Sequence, residues 1–341
     1  MKGKRLLVIG SIIFLMFFAT SLSFSGAIYA KEPYSIEIYT YKVGTFTYAM
    51  GVALADFINK DSTWLKASAI EAAGASVTAR IIAQEPAMRK KVIGFMTRWE
   101  AETAYPPFKT EYRGISDLAV IGFVTNGFVT LDPNIKTVHD LAGKRVGLGT
   151  SPSAARVDMP KKAILRAGVE NVRFSEHGFA DGVRALSDGL IDVLLSATFM
   201  RDPVHKKFGP NPALAKLMAT KKVYFVSFDK VAYDAARAGI SKKTEPEWYS
   251  YTIPAGGVKG QTKPWVVQGG PILWRCDKVM PEDVTYEVVR IMAKNAAKFQ
   301  DYHPLGKTIT PENMAKIGNA KKVHPGALRY YREHGIKIER F

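Results

Sequence analysis

The side chains best placed for chemistry here are hydroxyls and arginines clustered where helices begin. Gly44-Thr45-Phe46-Thr47-Tyr48 joins a β-like run to an amphipathic segment. Gly149-Thr150-Ser151-Pro152-Ser153-Ala154-Ala155-Arg156 repeats the arrangement further along. A helix start presents free N–H groups and a partial positive charge, so such turns attract carboxylates as well as phosphates. Two cations lie beside these turns. Arg98 follows Thr97 at the carboxyl end of a short apolar run, and Arg156 falls in the first turn of its helix. A cation there opposes the helix dipole, and a bidentate carboxylate clamp would justify it. The alternatives stay open at this level: Thr45, Thr47, Ser151 and Ser153 can serve simply as N-caps, and either arginine can face solvent.

Other chemistries find little support. No Gly-x-Ser-x-Gly elbow is present. The six histidines, at 139, 177, 205, 303, 324 and 334, are dispersed and form no His-Glu-x-x-His pair, and no cysteine partner for zinc exists. The expectation is no metal and no cofactor. Asp188 and Asp192 flank a turn, where Gly189 suits a helix C-cap better than a carboxylate pair suits catalysis. Gly147-Leu148-Gly149 lacks the rest of a phosphate-loop pattern. Cys276, the single cysteine, excludes an intrachain disulfide and reads as a small apolar residue in a buried strand.

The elements that must position these groups alternate between strand and helix. Tyr34 to Thr40 has strand period. Met50, Leu54, Phe57 and Ile58 then fall on one helical face. Strands are expected over 65–72, 91–96, 171–176 and 190–197, with helices over 76–84, 153–168 and 180–189. Pro160 should kink its helix or mark a late start. The apolar run 117–131 is interrupted at Asn126-Gly127, which reads as a turn or crossing point. A long strand over 265–276 crosses back to helices over 281–299 and 325–335, with Pro281 in the first turn. Such alternation means parallel sheets covered by helices, and two blocks, each with its own sheet, suit two lobes.

Composition sets the context. Hydrophobic residues make up 47% and charged residues 23% of the 341 residues, a globular balance with room for two domains. Lys2, Lys4 and Arg5 precede an apolar core and a small-residue segment, so residues 1–30 read as a secretory signal peptide; an uncleaved anchor is the alternative. Lys and Arg number 48 against 31 Asp and Glu. Three of the cations lie in the first thirty residues, which leaves a formal +14. In an exported protein this favours anionic small ligands or surfaces. The basic residues lie in scattered pairs without interleaved aromatics, so no nucleic-acid partner is expected.

Six segments in order resemble one family. They are Gly44–Lys60, Glu71–Ala83, Asp140–Arg156, Leu186–Ala197, Thr252–Gln261 and His324–Ile336. Together they resemble the extracytoplasmic solute receptors of tripartite ATP-independent periplasmic (TRAP) transporters, of the TAXI type. The resemblance implies a two-lobed α/β periplasmic-binding-protein fold of the Venus-flytrap kind, with each lobe a mostly parallel sheet flanked by helices. Lobe 1 would comprise 31–125 and 268–341, and lobe 2 residues 126–267. It further implies a non-catalytic, monomeric periplasmic receptor that captures a small anionic solute of the carboxylate, amino acid or oxo-acid type. The receptor would deliver it to the membrane permease subunits of a TRAP transporter. Thr47, Tyr48, Ser76, Thr97 and Ser153 match the family's binding positions, and Arg98 or Arg156 would be the charge partner. Phe46 stands where the family has glycine, and Ala154-Ala155 where it has Gly-Thr. The rival readings are the receptor of an ATP-driven importer, a secreted enzyme on a related fold, and a basic membrane-surface protein.

Overall fold

A computed structural model describes residues 31–151, 153–240, 244 and 247–341; the expected signal peptide lies outside these. The first βα block comprises β1 (Tyr34–Tyr39), α1 (Phe46–Asp61), β2 (Leu65–Ile70), α2 (Ala75–Gln84), β3 (Val92–Phe95) and α3 (Arg98–Glu102). The long strand β4 (Ile115–Thr130) leads into β5 (Arg145–Leu148), α4 (Met159–Arg166), β6 (Arg173–Glu176), α5 (Phe179–Ser187) and β7 (Val193–Asp202). Next come β8 (Lys207–Pro210), α6 (Pro212–Thr220), β9 (Tyr224–Val226), α7 (Lys230–Ile240) and β10 (Tyr249–Ile253). A second long strand, β11 (Trp265–Asp277), returns to α8 (Glu282–Lys294), α9 (Pro311–Met314) and α10 (Pro325–Glu333).

The strands form one sheet in the order β2-β1-β3-β11-β4-β7-β5-β6, with β10, β9 and β8 paired to β11, β4 and β7. Each end of the sheet is a parallel wing, β2-β1-β3 at one end and β7-β5-β6 at the other. The centre is antiparallel, because β11 runs against both β3 and β4. The two expected blocks are therefore present but do not have separate sheets. β4 and β11 continue through both, and Pro33–Phe341 is one compact unit.

Helices cover both faces of each wing, as strand alternation requires. On β3, Ile93 joins a core with Met50, Leu54 and Ile58 of α1 and Val288 and Met292 of α8. Its neighbour Val92 joins the opposite core, with Ala79 and Ile82 of α2. At the other wing, Val193 and Leu195 pack with α4 and α7, and Leu194 with α5 and α6. Each fully buried aliphatic side chain contributes roughly 1.5–3 kcal/mol of gross burial, so these layers fix the wings firmly.

Two local features differ from expectation, and a third decides between two expected alternatives. β4 runs unbroken through Asn126-Gly127. A Cβ at Gly127 would lie within 2.2 Å of the Trp265 indole, so the glycine admits a close side-chain approach instead of breaking the strand. Pro160 sits at the start of α4, preceded by a π-helical turn over Ala154–Asp158, so the helix starts late. Pro281 is the N-cap of α8 (φ −57°, ψ 137°), one step before the first turn.

Candidate functional site

Because β1, β2 and β3 are parallel, their carboxyl ends deliver residues 40–48, 71–76 and 96–100 to one edge of the first wing. Parallel β5, β6 and β7 do the same for residues 149–156 and 177–179 in the second. Ligands of open α/β sheets bind at such carboxyl edges. The edges meet where the Ala154 amide lies 3.4 Å from Glu100 Oε1.

In the first turn the hydroxyls serve the helix. Thr45 caps α1, with Oγ1 accepting from Tyr48 N at 3.3 Å. The Thr47 hydroxyl is buried and lies 3.2 Å from that of Thr45. Tyr48 is half-buried beside them. Phe46 turns into the core. Its ring covers Gly122, where a Cβ would come within 3.0 Å, and packs edge-on against His303 with centroids 5.3 Å apart. Its bulk is spent on packing and does not line the cleft.

Glu100 is the residue that gathers the site. Its Oε2 accepts from the Thr97 hydroxyl at 2.8 Å and, in a very short bond, from the Ser76 hydroxyl. Oε1 has only the long contact from Ala154 N. The carboxyl is 3% exposed, and among the described residues no Lys, Arg or His forms an ion pair with it. Burial pushes its pKa up, against the downward pull of Ser76, Thr97 and Ala154, and nearby Glu247 adds to the rise. Two of the expected anion-binding hydroxyls are thus occupied by a carboxylate of the protein itself. Glu100 is not among the residues expected from sequence, although a signal exists: Thr97-Arg98-Trp99-Glu100 has the Thr-x-x-Glu spacing of a capping box. In the structure Thr97 makes no cap bond, and its hydroxyl goes to the Glu100 carboxylate.

The second turn behaves similarly. Ser153 Oγ caps the π-helical turn by accepting from Arg156 N at 3.2 Å, and Ser151 donates to Glu176 through both its amide and its hydroxyl. Arg156 itself has no carboxylate partner among the described residues. Its Nε is buried without a hydrogen bond, and its guanidinium lies 3.9 Å above the Phe179 ring. Burial pulls its pKa down, partly offset by Tyr41. The cation–π contact supplies about 0.5–2 kcal/mol, less than a charge-assisted pair would, so the group remains available to an anion.

Arg98 is differently placed. Its guanidinium is buried against Asp117 and lies 3.8 Å from Glu102. Asp117 also pairs with Arg275 Nε at 2.6 Å, Arg275 with Glu247 at 2.8 Å, and Lys322 with Glu102 at 2.8 Å. Three cations balance three carboxylates. Burial disfavours both charges of the Arg98–Asp117 pair, but mutual attraction wins, so the Arg98 pKa is raised and the Asp117 pKa held down. The Arg98 guanidinium therefore anchors α3, with its charge already matched, while Arg156 is left as the cation at the cleft. A cavity of about 50 Å³ adjoins the network, lined also by Tyr249, Leu273 and Lys316.

Further contacts join the wings beside the site. Arg98 N donates to Glu247 Oε1 at 3.0 Å, and Gln268 Nε2 to the Ala155 carbonyl at 2.8 Å. The indoles of Trp99 and Trp248 meet edge to face with centroids 5.1 Å apart. Among the described residues no group of three or more His, Cys, Asp or Glu is arranged to hold a metal ion, and no helix is long and apolar enough to cross a membrane.

Comparison with known proteins agrees with this architecture. The NMT1-like family model matches residues 38–335. No curated protein matches. Among solved structures, a TctC solute binding protein from Polaromonas superposes with a TM-score of 0.50 at 15% identity, over 84% of this chain and 90% of that one. The periplasmic sulfonate-binding protein SsuA of Methylobacillus flagellatus gives 0.47 at 14% identity, over 87% and 76%. The aliphatic sulphonate binding protein SsuA of Escherichia coli gives 0.45 at 14%, over 89% and 84%. The fold is the two-lobed α/β architecture of periplasmic binding proteins.

Proposed function

The chain belongs to the NMT1-like family, and from that premise we propose that it is an exported, non-catalytic solute receptor. It captures a small solute carrying an anionic group between lobe 1 (31–125 and 268–341) and lobe 2 (126–267). Residues 1–30 direct it to the periplasm, and its closed form hands the solute to a membrane permease. The observation that carries this reading is the Arg156 guanidinium, half-buried at the joined carboxyl edges without a carboxylate partner among the described residues. The solute's anionic group takes that place. Thr47, Tyr48 and Ser153 line the mouth, Ser76 and Thr97 act through Glu100, and Arg98 holds α3 behind them. Closure is a hinge motion about β4 and β11, the two strands shared by both wings.

Of the transport systems such a receptor could serve, we favour a TRAP transporter of the TAXI type, on the six ordered motifs. Adjacent genes for large and small membrane subunits support this choice, whereas an adjacent ATPase gene replaces it with an ATP-driven importer. The direct test is thermal unfolding against a panel of organic acids and amino acids. A solute at a hundred times its Kd stabilises the protein by about 2.7 kcal/mol. At roughly 2.1 cal/mol/K of unfolding entropy per residue, that is a rise of about 4 °C. If no panel member raises the melting temperature, or if Arg156→Ala leaves every such rise unchanged, the proposal fails.

A further inference from the structure

Glu100 is a buried carboxylate lacking the cation that such groups ordinarily require. It is 3% exposed, and among the described residues no ion pair reaches it. Its two oxygens are also unequal. Oε2 accepts from Ser76 and Thr97, whereas Oε1 has only the 3.4 Å contact from Ala154 N and so keeps acceptor capacity toward the second wing. Ala154 is two residues from Arg156, the cation without an anion. The turn that sets its Ala154 amide against the unmatched carboxylate thus also carries the unmatched guanidinium. A carboxylate at the Glu100 position would meet like charge in a desolvated site, which disfavours any solute presenting its acid group there.

We propose that Glu100 is a specificity-determining residue that receives a cationic nitrogen of the solute, so that the site takes a zwitterion, ammonium on Glu100 Oε1 and carboxylate on Arg156. The hydroxyls of Ser76 and Thr97 orient the Glu100 carboxylate and keep its second oxygen occupied. Solutes with the acid group alone leave Glu100 buried without a cation, and solutes with the amine alone leave Arg156 unmatched. Discrimination comes as much from these penalties as from the hydrogen bonds that the matched solute forms.

This inference rests on the receptor reading above, and its test separates the two. Wild-type protein and Glu100→Gln are titrated with matched pairs differing only in the amine: L-alanine and propionate, L-leucine and isocaproate, L-glutamate and glutarate. The expected result is that wild type binds the amino member of at least one pair about tenfold or more tightly, the value of one charged hydrogen bond. Glu100→Gln should level that pair by weakening the amino member. If wild type binds both members of its best pair equally, or if Glu100→Gln keeps the preference, the inference is overturned while the receptor reading stands. If no member of any pair binds either protein, both fall. Should Glu100→Gln not fold, Glu100→Asp keeps the charge but retracts it by one methylene. A reduced preference in that variant supports the inference, and an unchanged one overturns it.

Discussion

Replacing Asp117 by Asn tests whether the buried ion network sets the position of α3. Asp117 is 1% exposed and lies between Arg98 and Arg275. The substitution keeps the volume and removes one charge, leaving two buried guanidiniums with Glu102 and Glu247. Removing one member of a buried ion pair costs about 3–5 kcal/mol. The remaining acids compensate in part, so the lower end, roughly 3 kcal/mol, is expected. Over the roughly 310 residues of Pro33–Phe341, the unfolding entropy is about 0.65 kcal/mol per degree, which makes the loss about 4–5 °C in Tm. Calorimetry at neutral pH with a parallel urea titration reads it, and an unchanged m-value shows that the same surface unfolds. The double replacement Asp117→Leu with Arg275→Met removes one charge of each sign and should cost less than Asp117→Asn alone. A Tm for Asp117→Asn within about 1 °C of wild type, well short of that loss, would refute the reasoning. So would a double variant less stable than the single one. The pH dependence has the same origin. The Asp117 pKa is held below its unfolded value, so its stabilisation is present above the ordinary carboxylate range and lost as pH falls through the folded pKa.

Three further outcomes follow from the cleft and the core. Arg156→Ala should weaken binding of anionic solutes about tenfold or more, the value of a charge-assisted hydrogen bond, as titration of the best solute will show. Its Tm should change little, because the lost cation–π contact is offset by removal of an unsatisfied buried nitrogen. The Glu100 pKa is raised in the folded state, so the native protein holds a proton that the unfolded chain releases. Stability of the solute-free protein should therefore fall as pH rises from the ordinary Glu value, about 4.3, through the folded pKa, and Glu100→Gln should remove that slope in a series of melts. Phe46→Ala should cost about 3–5 kcal/mol through loss of core packing without reordering solute preference; a changed order would place the ring in the cleft.

What could be read from the sequence divides along physical lines. The alternating elements of both wings were legible because α1 and α8 carry long apolar periodicities and β1 and β7 have clear strand patterns. The joining of the wings into one sheet was not, because it depends on β11 pairing with β3 and β4 across distant parts of the chain. Asn126-Gly127 misled for a related reason: a local turn signal yielded to the indole of Trp265, a demand visible only in three dimensions. At the site, Ser76, Thr97, Ser153 and Arg156 do lie at the two edges that meet, but Glu100 sits on a five-residue helix too short to show periodicity. Arg98 drew attention as a cation beside a helix start, yet its partners Asp117 and Arg275 come from β4 and β11. Which of two arginines is already matched cannot be read from local spacing.

The contact between Trp99 and Trp248 gives the molecule an optical property of its own. Two indoles 5.1 Å apart and edge to face couple their electronic transitions. One ring belongs to α3, the other to the segment before β10. Any motion that draws these two parts away from each other separates the rings. The near-ultraviolet dichroism and the fluorescence of the unlabelled protein then change together, so the state of the cleft can be followed in real time without attaching a probe.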